Sequence, residues 1–335
     1  MASQLAVPSG ADDPLLALIA PMLAALTGEL DRARRELSAL SGHPDPWVRA
    51  AQHAFAGHFA ISDGDIALAA AELAAGDVLI REIGDRFVRI ACLTGLAQVA
   101  LARDRPTDAV RALEQVQLFA DEGLTGNLGK TMRIPLGWAR ALAGDIAGAR
   151  HDLEEGVVVS EKIGELDDAA FGYVHLGEIA RREGDLAGAR DQLGRALLIV
   201  ETHEVRPDLS AAAATTFSRL GCLAEQDGDL ATAIRWHQRA LGKLSTGLAA
   251  IMPSNPLLAT VIEGIAALAA ARGEPVRAAE LLGLAHRLQG FTNAASLEVA
   301  RAQAAIGAAL TEDDAEAAAA RGRGWGRAEA LAVMP

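Results

Sequence analysis

The sequence predicts an all-α protein: an array of about seven helix-turn-helix repeats closed by C-terminal helices. Three observations carry this. First, a turn marker recurs as Gly28-Glu29, Gly64-Asp65, Asp104-Arg105, Gly144-Asp145, Gly184-Asp185, Gly228-Asp229 and Gly273-Glu274. Second, five residues after the first member of each pair stands Ala33, Ala69, Ala109, Ala149, Ala189, Ala233 or Ala278. Third, no stretch alternates β-branched and polar residues as a half-buried strand does.

Successive markers are 36, 40, 40, 40, 44 and 45 residues apart, so the unit is longer than a single helix and shorter than a domain. The chemistry of the marker explains its recurrence. Glycine ends the first helix of a pair by entering the left-handed conformation that other residues resist. The acidic residue beside it caps the second helix or favours its positive end. Alanine one turn later lets the two helices approach closely.

The elements follow in order. Residues 1–12 read as a disordered tail. Helix pairs are predicted at about 14–27/30–41, 45–63/65–82, 85–103/106–121, 128–143/145–163, 166–183/185–203, 207–227/229–249 and 256–272/275–289. Asp13 and Pro14 suit the start of the first helix, and Pro46, Pro106, Pro207 and Pro256 fall at later starts, where a missing N–H costs little. The Gly-rich stretch 121–129 is a candidate hinge, and 251–256 is a second irregular connection. Residues 294–333 carry no marker and read as closing helices, which an open array requires. The boundaries are therefore 1–12 tail, 13–290 array and 291–335 cap.

Composition narrows the function classes. The net charge of −13 argues against a phosphate-tracking surface and hence against direct nucleic-acid binding. Aromatics make up 4% of the chain while half of it is apolar, a balance suited to closely packed small-residue helices. Cys92 and Cys222 fall in different repeats and read as buried core thiols of a reduced compartment. The apolar run 15–26 follows Asp12 and Asp13, with no basic residue before Arg32, so it reads neither as a signal peptide nor as a membrane span. A cytoplasmic protein is expected.

The region from Gly164 to Leu241 holds two full copies of the unit: Leu176-Gly177-Glu178-Ile179-Ala180 with Gly184-Asp185, and Leu220-Gly221-Cys222-Leu223-Ala224 with Gly228-Asp229. This spacing resembles tetratricopeptide repeats. Tyr173 and Phe217 match the aromatic position before Leu-Gly, whereas Ala60, Ala100, Ala180 and Ala224 replace the aromatic that usually follows it. The resemblance implies a right-handed superhelical array with a concave binding groove. The long, Ala-rich repeats and the ending Ala278-Ala279-Glu280-Leu281-Leu282-Gly283 are also similar to the C-terminal region of bacterial antibiotic-regulatory-protein and MalT-like LuxR-class transcriptional activators. That resemblance implies a regulatory role. Such regulators also carry a DNA reader and a nucleotide-binding module, and the sequence shows neither.

Local chemistry is sparse. Gly126-Asn127-Leu128-Gly129-Lys130-Thr131 lacks the first glycine and the preceding strand of a phosphate loop. His53 and His58 are five apart, and no Cys-x-x-Cys or His-Glu-x-x-His occurs, so no metal site is predicted. His151, Asp152, Glu154 and Glu155 read as a solvated helix face. Arg321, Arg323, Trp325 and Arg327 read as a frayed C-terminal connection. No catalytic residue, cofactor or membrane contact is predicted.

The groove remains. The first helix of each pair should line it, with inward positions recurring at helical spacing. One row is His58, Gln98, Trp138, Glu178 and Cys222; a second is Ile61, Leu101, Ala141, Arg181 and Glu225; a third includes Ser62, Leu142, Arg182 and Gln226. The candidate binding set is Trp138, Leu142, Glu178, Arg181, Arg182, His58 and Gln98, with Phe171 from the helix that carries Glu178. An aromatic anchor beside arginines is the usual makeup of a hot spot. Three readings stay open: a regulatory module that takes a peptide, protein or small effector in the groove; a free-standing small-molecule-binding or sequestering protein; and an enzyme with acid–base residues in the groove.

Overall fold

The computed structural model describes residues 14–121, 132–203, 210–246 and 254–333, and these form helices with no strand among them. The paired helices are α1 (Pro14–Leu26) and α2 (Leu30–Ala39), α3 (Pro46–Asp63) and α4 (Ile66–Ile83), α5 (Arg86–Ala102) and α6 (Pro106–Asp121), and α7 (Arg133–Leu142) and α8 (Ile146–Ile163). They continue with α9 (Leu166–Arg182) and α10 (Leu186–Thr202), α11 (Ser210–Gln226) and α12 (Leu230–Leu244), and α13 (Asn255–Ala271) and α14 (Pro275–Gln289). Three closing helices follow: α15 (Leu297–Ala309), α16 (Glu312–Arg323) and α17 (Arg327–Leu331). The predicted tail, the Gly126–Thr131 stretch, nearly all of the 121–129 hinge and part of the 251–256 connection lie outside the described residues.

The turn marker does what its chemistry requires. Gly28, Gly64, Gly144, Gly184, Gly228 and Gly273 have φ between 76° and 90°. The third repeat has aspartate in place of glycine, and Asp104 takes φ 55°, the one positive-φ non-glycine among the described residues. Asp65, Asp145, Asp185 and Asp229 each accept a hydrogen bond from the backbone N–H three residues on. Glu29 and Glu274 make no such side-chain cap, because one more methylene carries the carboxylate past the amide. All seven marker alanines, from Ala33 to Ala278, are fully buried.

Small residues at the helix crossings leave room for larger side chains from the partner helix. Leu73 fits against Gly57 and Gly95, Leu153 against Gly137, and Leu193 against Gly177. The largest apolar cluster lies towards the C-terminus, where Phe217, Leu258, Ile262, Ile265 and Leu284 meet the closing helices. Phe217 stacks on Trp236 with ring centres 5.6 Å apart, and the Arg239 guanidinium lies 4.0 Å from the centre of the Phe217 ring.

Two sequence expectations are corrected. The 321–327 stretch is docked: Trp325 lies 5.0 Å from the Arg277 guanidinium, Arg321 donates to Glu280, and Arg327 donates to Asn255. Asp152 is not solvated. It is 1% exposed and held between Arg140 and Arg133, with contacts of 2.5 and 3.4 Å, because its helix face packs against α7.

The array also bends far enough to meet itself. The turn after α3 abuts the end of α14. A Cβ on Gly64 would stand 2.3 Å from the Leu288 carbonyl oxygen, and one on Gly290 would stand 2.1 Å from that of Gly64. The Asn255 side-chain amide donates to the Asp63 carbonyl at 3.3 Å. The second and seventh repeats are thus in contact, and the groove lies inside a ring.

Candidate functional site

Helices α3, α5, α7, α9, α11 and α13 turn one face each towards the inside of the ring. There they enclose a cavity of about 350 Å³. Helix α9 supplies a continuous stripe, Phe171, His175, Glu178 and Arg182, spaced by three or four residues so that all four share a face. Helix α7 adds Trp138 and Leu142, and α5 adds Gln98 and Leu101. Six of the eight candidate residues therefore meet in one chamber: Gln98, Trp138, Leu142, Phe171, Glu178 and Arg182.

The other two lie elsewhere. His58 borders a separate apolar pocket of about 320 Å³ with Leu18, Met22 and Phe59, and its ring nitrogen pairs with the Ala91 carbonyl at 3.0 Å. Burial lowers its pKa and the Ala91 hydrogen bond partly offsets this. Arg181 is 3% exposed and points into the packing between α9, α11 and α15. Its neighbour Arg182 faces the chamber, and one residue along a helix is a rotation of about 100°, so the two arginines cannot share a surface.

The sequence also gave no sign of what fills part of the groove. The segment from Phe291 to Glu298, between α14 and the first turn of α15, forms one wall of the chamber. Glu298 is fully buried and ties the wall down. It accepts hydrogen bonds from Arg181 at 2.5 Å and from Arg219 at 3.0 Å. Glu178 accepts from Arg181 at 2.8 Å and stands 3.7 Å from Arg182 and 3.8 Å from Arg219. Arg181 also donates to Gln226, and Arg182 donates to the Ala295 carbonyl. Further out, Arg301 of α15 grips Glu225 with two contacts of 2.6 and 2.7 Å.

These contacts set the charge states. Burial alone would raise the pKa of Glu298; Arg181 and Arg219 outweigh it and hold the carboxyl well below its usual range. Burial likewise opposes the charge on Arg181 and Arg219, and the two glutamates outweigh it. His175 goes the other way. Burial, and then the charge of Arg219, push it down to about 3, so it is a neutral imidazole at physiological pH. Its ring stacks on Trp138 at 4.6 Å and 15°, and the Arg182 guanidinium lies 5.6 Å from the centre of the same indole.

Sequence reasoning missed His175, Arg219 and Glu298. His175 could have been found, since it lies midway on the stripe between Phe171 and Glu178. Arg219 occupies the same place before Leu-Gly in its repeat as His175 does in the preceding one. Glu298 had no local signal, because its partners are 79 and 117 residues away. Among the described residues no cluster has the makeup of a metal site, and no helix is long and apolar enough to cross a membrane.

No protein-family model and no curated protein matches the chain. Among solved structures it is similar to a Rap protein complexed with Competence and Sporulation Factor, at 13% identity and a TM-score of 0.58 over 90% of this chain and 84% of that one. It is similar to NprR in complex with its cognate peptide NprX, at 14% identity and 0.54, over 92% and 82% of the two chains. A third is a signal-transduction ATPase with a tetratricopeptide-repeat sensor from Pyrococcus horikoshii, at 12% identity and 0.52; the match covers 84% of this chain and 42% of that protein. The fold is tetratricopeptide-like. No sequence-level match links the chain to the LuxR-class activators.

Proposed function

We propose that the protein is a non-enzymatic binding module of the regulatory kind, taking a short peptide or a small effector inside its ring. One observation carries this reading: the inward stripes of successive repeats and the Phe291–Glu298 wall converge on one chamber in which Trp138, His175, Phe171 and Arg182 stand together. A concave, largely apolar cavity with a few fixed polar groups is the usual form of a ligand site. The likeness to folds solved with Competence and Sporulation Factor and with the peptide NprX supports a ligand inside the array. The sensor role named for the Pyrococcus horikoshii protein supports a regulatory use; control of transcription is the form of it that the repeat pattern's resemblance to the activators implies.

A second reading, a free-standing protein that sequesters a small molecule, is favoured by the Phe291–Glu298 segment, which occupies part of the groove and narrows it.

The test is thermal unfolding of the full chain against a library of amino acids, short peptides and common metabolites. At least one class should raise the melting temperature of the wild type, and Trp138→Ala should abolish that rise while keeping a cooperative transition. A library that stabilises wild type and Trp138→Ala equally places the ligand outside the chamber and ends this reading.

A further inference from the structure

The chamber carries an unbalanced charge, and this specifies its ligand further than shape does. Three guanidinium groups, Arg181, Arg182 and Arg219, surround two carboxylates, Glu178 and Glu298. Glu298 is shared by Arg181 and Arg219, and Glu178 is bonded to Arg181. Arg182 is left with a carboxylate no nearer than 3.7 Å and a hydrogen bond to the neutral carbonyl of Ala295. Its side chain keeps 28% of its surface open, whereas that of Arg181 keeps none.

The next carboxyl outward, Glu263, is turned towards the side-chain amides of Gln289 and Asn293 at 2.8 and 3.2 Å, and burial pushes it up to about 7, so near neutral pH it is only partly ionised. His175 adds no charge of either sign. Within the cluster of three arginines and two glutamates the positive groups outnumber the negative, and the least matched of them is the planar donor fork of Arg182 beside the exposed part of Trp138.

Ile61, Leu101, Leu142, Phe171 and Leu257 stand around the Trp138–His175 stack, with the uncharged polar side chains of Gln98, Thr215, Thr260, Asn293 and Ser296 elsewhere on the wall. The volume of about 350 Å³ lies at the small end of the roughly 300–1,000 Å³ that ligand pockets occupy. An extended peptide laid along the whole groove would run into the Phe291–Glu298 wall. That wall cannot easily swing away, because Val299, Ala302 and Ile306 of α15 are buried behind it.

We propose that this chamber binds a small monoanion whose single carboxylate meets Arg182 while an aromatic or branched apolar body stacks beside Trp138 and Phe171. This deepens the binding reading above and rests on it. Arginine suits the role because its fork can take both oxygens of a carboxylate at once. The carboxylate has two sources, a free aromatic acid or the C-terminal residue of a short peptide, and the same test separates them.

The experiment is calorimetry on the full chain with matched pairs of probes: 3-phenylpropionate and its amide, N-acetyl-phenylalanine and its amide, and an N-acetylated tripeptide ending in phenylalanine with a free or amidated C-terminus. The free acids should bind at least tenfold more tightly than the amides, and the difference should shrink as salt is raised. Arg182→Gln should bring acid and amide to equal affinity. Its melting temperature should stay close to wild type, because Arg182 is the exposed member of the cluster. Binding of the free tripeptide without the single acids assigns the peptide source, and the reverse assigns the free acid; either supports the proposal. Equal binding of acid and amide by the wild type overturns the charge assignment and leaves the chamber standing as a site. Failure of every probe to bind up to 10 mM, a ceiling set at about the weakest affinity worth calling specific, counts against both.

Discussion

Glu298 shows how much one side chain does in this protein. It is a buried acid that joins α9 and α11 to the closing helices through two arginines. Removing one partner of such a group leaves charges buried and unpaired, which typically costs about 3–5 kcal/mol. Glu298→Ala should lose stability on that scale in chemical denaturation at pH 7. The pH dependence has a definite sign. The folded pKa of Glu298 lies below its ordinary 4.5, so its contribution is complete above about pH 4.5 and is lost as the pH falls below that value. The stability gap between wild type and Glu298→Ala should therefore narrow in acid. Glu263 has the opposite sign. Its folded pKa is raised to about 7, so it opposes folding as the pH rises from about 4.5 to 7. A gap that does not change between pH 7 and pH 3 would show that Glu298 does not hold its charge through the arginines.

The helix pair is the scale at which sequence reads most directly. A left-handed turn, an aspartate cap and a buried alanine are local demands, and each leaves a residue-type signature at a fixed offset. Asp104 shows the limit of glycine's necessity, since aspartate tolerates φ 55° at some cost. Gly184 and Asp104 make a paired test by thermal unfolding. Gly184→Val puts a β-branched residue at φ 81° and should cost about 1–2 kcal/mol. Asp104→Gly should be neutral or stabilising by up to about 0.5 kcal/mol. Equal effects of the two substitutions would mean that the turns do not constrain the pairs. Helical spacing was enough to pair Trp138 with Leu142 on one face of α7 and Glu178 with Arg182 on one face of α9, the faces that line the cavity. It could not separate Arg181 from Arg182, because adjacent residues differ by one step of helix rotation and the sequence does not fix the phase that finely. Glu298 and the Phe291–Ser296 wall were illegible because they depend on how far the array curves, the sum of many small rotations between repeats with no residue of its own.

At the scale of the whole molecule, the contact between Gly64 and Gly290 closes the ring. Both residues have φ near 80°, and a side chain on either would meet the opposite backbone. Gly290→Val should open this seam. In solution scattering the radius of gyration should increase while the helical circular dichroism stays near that of wild type. An unchanged radius in a folded Gly290→Val protein would show that the seam does not set the curvature.

An open row of repeats is a spring: it stretches and twists because each unit answers only to its neighbours. This row has its second coil clasped to its seventh, and a hoop cannot lengthen without parting its clasp. Strain introduced at any one joint must travel both ways round. The seam also borders the chamber, since Ile61, Ile66 and Phe291 line it beside Gly64 and Gly290. A guest pressing on the Trp138 wall would then bear on the clasp both directly and through the arcs of packed helices, and the clasp is where occupancy of the interior would become visible from outside.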